Sequence, residues 1–190
     1  MGLGTYFTVI SRKALISAAL LLGCGLGSAP AYAAPTASNA GAEAVVVRRL
    51  SFITDENFDF GAVIAGATSG TVVVPPTGVR TKTGGPLLIG TLYQPARFSG
   101  LGATNQIVQI SMGANSYALP RVGGGAPAMT VDTFIIGSTP TAQLTTNPLV
   151  FRIASATGIF NFPVGATLRV GANQPPGVYS TTVAITLIYQ

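Results

Sequence analysis

The sequence contains no histidine, no tryptophan and a single cysteine, Cys24. Without histidine the chain lacks the commonest general base, the Ser-His-Asp and Cys-His arrangements and the usual zinc ligand sets. Because Cys24 lies in an N-terminal segment that we predict to be removed, thiol catalysis and iron–sulfur ligation are also excluded for the mature chain. We therefore predict no catalytic residue, no metal site and no cofactor, and we expect that the protein is not an enzyme.

Charged residues are scarce as well, at 8% of the chain, although the calculated pI is about 9.8. The basic residues are scattered singly, apart from the pair Arg48-Arg49 and the near pair Arg80 and Lys82. A nucleic-acid partner needs a clustered basic stripe, so none is expected. A surface this poor in charge is unusual for a free monomer, which suggests that other subunits cover much of it.

One acidic cluster remains, formed by Asp55, Glu56 and Asp59. The spacing of a calcium-binding EF-hand is absent, and no second acidic cluster supplies the opposite side of a site, since Asp132 stands alone. We interpret the cluster as a solvated turn. A weak cation site and a glycosidase-like acid/base pair are the alternatives.

The N-terminus has the three parts of a secretory signal peptide: the basic pair Arg12-Lys13, an apolar run over residues 14–22, and the small-residue site Ala31-Tyr32-Ala33. We predict cleavage after Ala33. The apolar run is about half the length of a membrane-spanning helix, so no membrane span is predicted. As an alternative, residues 21–24 resemble a lipobox, in which case Cys24 would be acylated.

After the signal peptide (residues 1–33), residues 34–43 are small and polar and indicate a flexible leader, followed by one domain over residues 44–190. Short runs rich in Val, Ile, Thr and Phe recur in this domain between Gly, Pro and Asn, and predict an all-β sandwich or barrel. Two glycine-rich stretches, Pro75–Gly78 and Gly123–Gly125, are predicted turns and not phosphate loops, because neither opens a helix. The predicted strands are Ala44–Phe52, Phe58–Ile64, Thr71–Val74, Leu87–Leu92, Ala96–Leu101, Ile107–Met112, Ser116–Leu119, Met129–Ile136, Leu149–Ile153, Ala166–Val170 and Val178–Tyr189.

The last predicted strand is the most informative one. Its alternation places five side chains on one face, which predicts a long, half-buried strand at the C-terminus. These side chains are Tyr179, Val183, Ile185, Leu187 and Tyr189.

This segment resembles the C-terminus of the chaperone–usher pilins, which end in an alternating strand with a penultimate aromatic residue and a glycine at the fourteenth place from the end. Tyr189 and Gly177 occupy those two places. Residues 170–177 and 58–64 are similar to motifs of the spore-coat-U and Csu-like branch and of related uncharacterised secreted domains. The chain departs from many of these proteins because its mature part has no cysteine for an early disulfide.

The resemblance implies an incomplete, immunoglobulin-like antiparallel β-sandwich that exchanges strands with its neighbours. In such pilins a periplasmic chaperone first lends the missing strand, and the N-terminal segment of the next subunit replaces it at an outer-membrane usher. The strand that pairs with chaperone or subunit then carries Gly177, Tyr179, Val183, Ile185, Leu187 and Tyr189. We place the donor strand between residue 34 and about residue 52, so the leader over residues 34–43 could form part of it. We favour a donor that overlaps residues 42–52, carried by Ala44, Val46, Leu50 and Phe52.

The expected function is thus that of a structural subunit of a Gram-negative surface fibre, a pilus or fimbria, with a role in adhesion or biofilm formation. Its partners would be copies of itself or related pilins, and it would pass through the periplasm to the cell surface. The alternatives are a self-complemented, immunoglobulin-like surface-binding module or adhesin, and an outer-membrane lipoprotein anchored through Cys24.

Overall fold

A computed structural model describes residues 41–190, and Ala44–Gln190 form one compact unit. The predicted signal peptide, Cys24 and the predicted leader up to residue 40 lie outside the described residues. The strands are β1 (Ser51–Glu56), β2 (Ala62–Ile64), β3 (Gly70–Val74), β4 (Thr81–Gly84), β5 (Leu87–Ile89), β6 (Ala96–Leu101), β7 (Ile107–Met112), β8 (Ser116–Leu119), β9 (Met129–Ile136), β10 (Ala142–Leu144), β11 (Leu149–Arg152), β12 (Ile159–Val170) and β13 (Ile185–Tyr189).

Every strand pair is antiparallel, and the described part of the chain contains no helix. The larger sheet has eight strands: five follow the order β1-β6-β12-β3-β4, while β9 pairs with β12 and is flanked by β8 and β10. A second sheet has the order β11-β7-β13, and β2 pairs with β5. The predicted all-β, immunoglobulin-like antiparallel sandwich is confirmed.

The core lies between the two main sheets. Phe134 and Val131 of the larger sheet and Ile110 and Met112 of the smaller sheet are almost fully buried in one apolar cluster. Along β7 fully buried residues alternate with half-buried ones, which places one face of this strand in the core. Burial of these side chains is the main force that holds a chain without internal disulfides together.

Four strand predictions are confirmed to the residue: Ala96–Leu101, Ile107–Met112, Ser116–Leu119 and Met129–Ile136. Each contains branched or aromatic residues and pairs with a neighbouring strand of its sheet. The predicted hairpin turn at Gly123–Gly125 is also confirmed, because it joins the paired strands β8 and β9.

The prediction for Ala44–Phe52 is wrong for residues 44–50, since β1 begins only at Ser51. Residues 44–49 are exposed and have no strand partner among residues 41–190, and the charged pair Arg48-Arg49 interrupts their apolar pattern. The prediction for Val178–Tyr189 is also too long, because regular pairing begins at Ile185. Immediately before it, the carbonyl of Ala184 accepts bonds from the Gly113 amide at 2.9 Å and from the Tyr117 hydroxyl, and the Ala184 amide donates to that same hydroxyl.

Two other sets of differences concern strand length and missed strands. Strand β12 is predicted only from Ala166 but begins at Ile159, and the short polar strands β4 and β10 were not predicted. Smaller adjustments shorten Phe58–Ile64 to β2 and Leu87–Leu92 to β5, and move the ends of β3 and β11 by one residue.

Pro163 explains why β12 was underestimated, since a proline cannot donate a ladder hydrogen bond. The carbonyl of Pro163 accepts a bond from the amide of Gly137, just after β9 ends. The backbone groups of Pro163 therefore face the side of β9, where the ladder ends, and not the side of β6. The missing N–H therefore removes no pairing with β6.

Candidate functional site

An open groove of about 1130 Å³ with an apolar floor is the candidate site of the described residues. It lies between two chain segments, which we call the C-terminal wall (residues 174–183) and the β2 wall (residues 57–65). The floor is the inner face of the larger sheet, where the lining side chains are Ala96, Phe98, Leu119, Met129, Val131, Leu168 and Val170. The groove thus opens directly onto the core of the sandwich.

The C-terminal wall is extended and pairs with other backbone on one side only. Val122 donates to the carbonyl of Val178 at 2.8 Å, and Ser180 donates to the carbonyl of Pro120 at 3.2 Å. Backbone groups of alternate residues in an extended segment point to opposite sides, so those of Thr181 and Val183 point toward the groove. Among residues 41–190 they belong to no ladder, which leaves a strand edge beside the apolar floor.

The β2 wall begins with a tightly bonded turn. Asp59 and Gln94 exchange two backbone hydrogen bonds of 2.9 and 3.0 Å, and the carboxylate of Asp59 accepts a bond from the Gly61 amide at 2.7 Å. From Gly61 the chain continues into β2, which pairs only with the equally short β5. This wall is therefore attached to the larger sheet through few ladder bonds.

The six predicted residues of the pairing strand divide into two groups. Gly177, Tyr179 and Val183 line the groove, whereas Ile185, Leu187 and Tyr189 belong to β13 and lie beyond it. Ile185 and Leu187 pack against the core. Tyr189 lies farthest from the groove, where its hydroxyl accepts a bond from Ala103 at 2.7 Å and donates one to the carbonyl of Arg48 at 2.8 Å.

The four predicted donor residues also divide. Ala44 and Val46 are exposed in the unpaired segment, with Val46 96% exposed, and Val45 beside it is 78% exposed. Leu50 is half-buried just before β1. Phe52 lies within β1, opposite Gly100, with its ring centroid 6.2 Å from that of Phe98. Phe52 thus forms part of this domain's own sheet.

The acidic cluster is dispersed by its surroundings. Asp55 and Glu56 lie at the end of β1, not in a turn as predicted; Asp55 accepts a bond from the Ser99 hydroxyl, and Glu56 forms an ion pair with Arg97 at 2.8 Å. No group of three potential metal ligands occurs within residues 41–190.

Asp132, predicted to stand alone, pairs with Arg169 of the neighbouring strand β12. The hydrogen bond and the charge of Asp132 raise the pKa of Arg169 above its ordinary value. This pair stabilises the outer face of the sheet and does not contact the groove.

Sequence reasoning missed two polar residues that shape the groove. Arg80 is only 5% exposed and bonds to the β2 wall, and Tyr117 holds the residue that precedes β13. In the sequence, Arg80 follows the predicted turn at Pro75–Gly78 and stands among apolar and small residues. This pattern does not show whether the arginine is buried or exposed.

Comparison with known proteins gives one result. No curated protein and no solved structure matches the chain. A family described as a domain of unknown function, DUF4402, matches residues 50–189, which include all the strands from β1 to β13. The chain therefore belongs to the DUF4402 family.

Proposed function

We propose that this protein is a secreted structural subunit of a bacterial surface fibre and that it polymerises by donor-strand exchange. The observation that carries the proposal is the groove: an apolar floor continuous with the core, bordered by a strand edge whose inward backbone groups have no ladder partner in the described residues. The subunit would be exported by its signal peptide, held by a periplasmic chaperone, delivered to an outer-membrane usher and incorporated at the cell surface. It would have no enzymatic activity.

Strand addition satisfies both features of the groove at once. An added strand makes main-chain hydrogen bonds with Thr181 and Val183, and its alternate side chains reach the floor. The bonds give affinity, whereas the fit of the side chains gives the register. A long apolar cleft beside an open edge is otherwise a site of uncontrolled aggregation, so a specific occupant is needed.

The exposed segment of residues 44–47 has the composition of that occupant. Val45, Val46 and Val47 are 78%, 96% and 43% exposed, although full burial of a valine side chain contributes about 1.5–3 kcal/mol. Two of these side chains would face the floor if the segment were added as a strand, because alternate residues share a face. The donor then ends before Arg48, which narrows the predicted donor of residues 42–52.

The chain's own segment is poorly placed to fill its own groove. The carbonyl of Arg48 accepts a bond from Tyr189. Val183, at the near end of the groove, lies six positions before Tyr189 in the sequence. At about 3.3 Å per residue the segment must extend roughly 20 Å before it reaches the groove, which uses residues 42–47. Only the small and polar residues 34–41 would then face the floor.

A second copy is not restricted in this way, because its segment enters from outside and can place residues 45–47 along the groove, with two of the three valines facing the floor. This argument favours a polymer over the self-complemented binding module. It also requires no anchor at Cys24, which distinguishes the proposal from an outer-membrane lipoprotein.

The test is to refold the chain that begins at Ala34 and to measure its mass distribution by light scattering and its morphology by electron microscopy. We expect fibres or a ladder of oligomers. Replacing Val45, Val46 and Val47 together by Ser should leave monomers, whereas Val150→Ser, at a valine that is 56% exposed on β11, should polymerise normally. A stable, monomeric parent chain whose groove is protected from hydrogen exchange would contradict the proposal and support self-complementation.

A further inference from the structure

Arg80 is a buried cation in a chain with few charges. Its side chain is 5% exposed, while the preceding Val79 is 72% exposed, so the charged residue is directed inward and the apolar one outward. This reverses the usual preference, because arginine is rarely buried unless it is paired. Burial of an unpaired guanidinium would be costly, so the contacts that Arg80 makes need an explanation.

The guanidinium clamps two chain segments. Its Nη1 donates to the carbonyls of Phe60 and Ala62, and its Nη2 donates to the carbonyls of Ile89 and Gly90, both at 3.1 Å. One nitrogen thus binds the start of β2 and the other binds the end of β5. Neither of the ion pairs found in residues 41–190 includes Arg80.

An aromatic ring and a glycine complete the surroundings. The guanidinium carbon lies 5.0 Å from the ring centroid of Tyr93, within the range of a cation–π contact. Gly61 lies between the two carbonyls that Nη1 binds and has a φ of 70°; a Cβ there would collide with Nη1 and with the carbonyl of Leu92. Gly61 is thus required both by its left-handed backbone and by the close approach of Arg80.

The same carbonyls belong to the β2 wall of the groove. Phe60, Gly61 and Ala62 all line it, and β2 pairs only with β5, so ladder bonds do not fix its distance from the larger sheet. Arg80 leads directly into β4 of that larger sheet. The guanidinium is therefore a direct polar link between the wall and the sheet that forms the floor.

We propose that Arg80 is a positioning residue that holds the β2 wall at the spacing an incoming strand requires. This inference rests on the proposed function, because it gives the groove's width a role in strand uptake. A wall that is already in place removes the cost of ordering it when the strand binds. Lysine cannot replace the arginine fully, since a single ammonium lacks the planar fork that reaches both segments.

The experiment uses as its parent the chain that begins at Ala34 with Val45, Val46 and Val47 replaced by Ser, so that no other copy fills the groove. The variants of this parent are Arg80→Met, Arg80→Lys and, as a matched control, Lys82→Met at an exposed cation two residues away. A fluorescent peptide of residues 34–49 reports strand uptake, and hydrogen exchange reports the amides of β2 (Ala62–Ile64) and of β9 (Val131 and Phe134). We expect uptake by Arg80→Met to be about tenfold slower than by the parent, Arg80→Lys to be intermediate, and Lys82→Met to match the parent. Protection should fall in β2 and persist in β9.

Uptake at the parent's rate by Arg80→Met, or a parallel loss of protection in β9, would overturn the inference, because Arg80 would then be dispensable or merely a general stabiliser. If Arg80→Met does not fold, the same two criteria apply to Arg80→Lys. If the parent itself takes up no peptide, the proposed function fails, and unchanged β2 protection in the variants would overturn the role of Arg80 separately.

Discussion

Three tyrosine hydroxyls hold the C-terminal part of the chain by bonding to backbone groups. Tyr117 bonds Ala184, and Tyr179 donates to the carbonyl of Pro175 at 2.7 Å. Tyr189 joins Ala103 to Arg48, so it ties the last strand to the segment that precedes β1. The rings of Tyr117 and Tyr179 pack against the apolar core, and in all three residues the hydroxyl bonds to the backbone.

Replacing Tyr189 by Phe should cost about 1–3 kcal/mol of unfolding free energy, because the ring is kept but the amide of Ala103 and the carbonyl of Arg48 both lose their partner. Urea unfolding measures the loss, and hydrogen exchange should show faster exchange at Ala103. Tyr93→Phe is the matched control, since the Tyr93 hydroxyl makes no hydrogen bond within the described residues. Equal stability of Tyr189→Phe and the parent would contradict this role.

At the scale of residues, the sequence allowed some roles to be predicted and not others. The positions of Gly177 and Tyr189 could be recognised from their spacing to the C-terminus, but the spacing could not show that only Gly177 borders the groove. Arg80 could not be recognised, because a lone arginine after a turn is usually solvated, and its burial depends on carbonyls at residues 60–62 and 89–90 that only the fold brings together.

At the scale of elements, β12 determines how the larger sheet is built. Its first half pairs with β6 and its second half with β3, while β9 pairs along the opposite side. Gly165 lies where these neighbours change. A Cβ at Gly165 would come within 2.6 Å of backbone atoms of Pro75 and Pro76, so the turn after β3 packs directly on the backbone of β12.

Gly165→Ala should therefore destabilise the domain by about 1–3 kcal/mol, the usual cost of overpacking a tight site. The backbone cannot move away without breaking ladder bonds on one side of β12. Thermal unfolding measures the effect, with Gly41→Ala as control because no atom lies within 4 Å of a Cβ at Gly41. A Gly165→Ala variant as stable as the control would show that the turn can shift.

Elements were predictable where local pattern and tertiary partner agree. Strands β6 to β9 each bury part of one face in the core and pair within a sheet, so their bounds followed from the sequence pattern. The pattern failed for β12, because Pro163 and Gly165 normally end strands, and for residues 178–184, because alternation reports a buried face but not a hydrogen-bonded neighbour. The part of the predicted C-terminal strand that lies outside β13 is the part that borders the groove.

At the scale of the whole molecule, an open groove and an exposed apolar segment occur on one chain. Each is unfavourable in water by itself, and the carbonyl of Arg48, the residue after the three valines, accepts a bond from Tyr189, which lies beyond the groove. In the proposed polymer, association of copies would remove both exposures together. The low charge of the chain fits this account, since repulsion between subunits in a polymer would be small.

The most direct test is disulfide trapping between copies, which is clean because the chain from Ala34 has no cysteine. One tagged copy carries a single cysteine at residue 45, 46 or 47, and a differently tagged copy carries one at residue 181, 182 or 183. The account predicts disulfides between the two copies with a period of two along the donor, as expected for a strand. Disulfides that form only within a chain carrying both cysteines, or no disulfides at all, would contradict it.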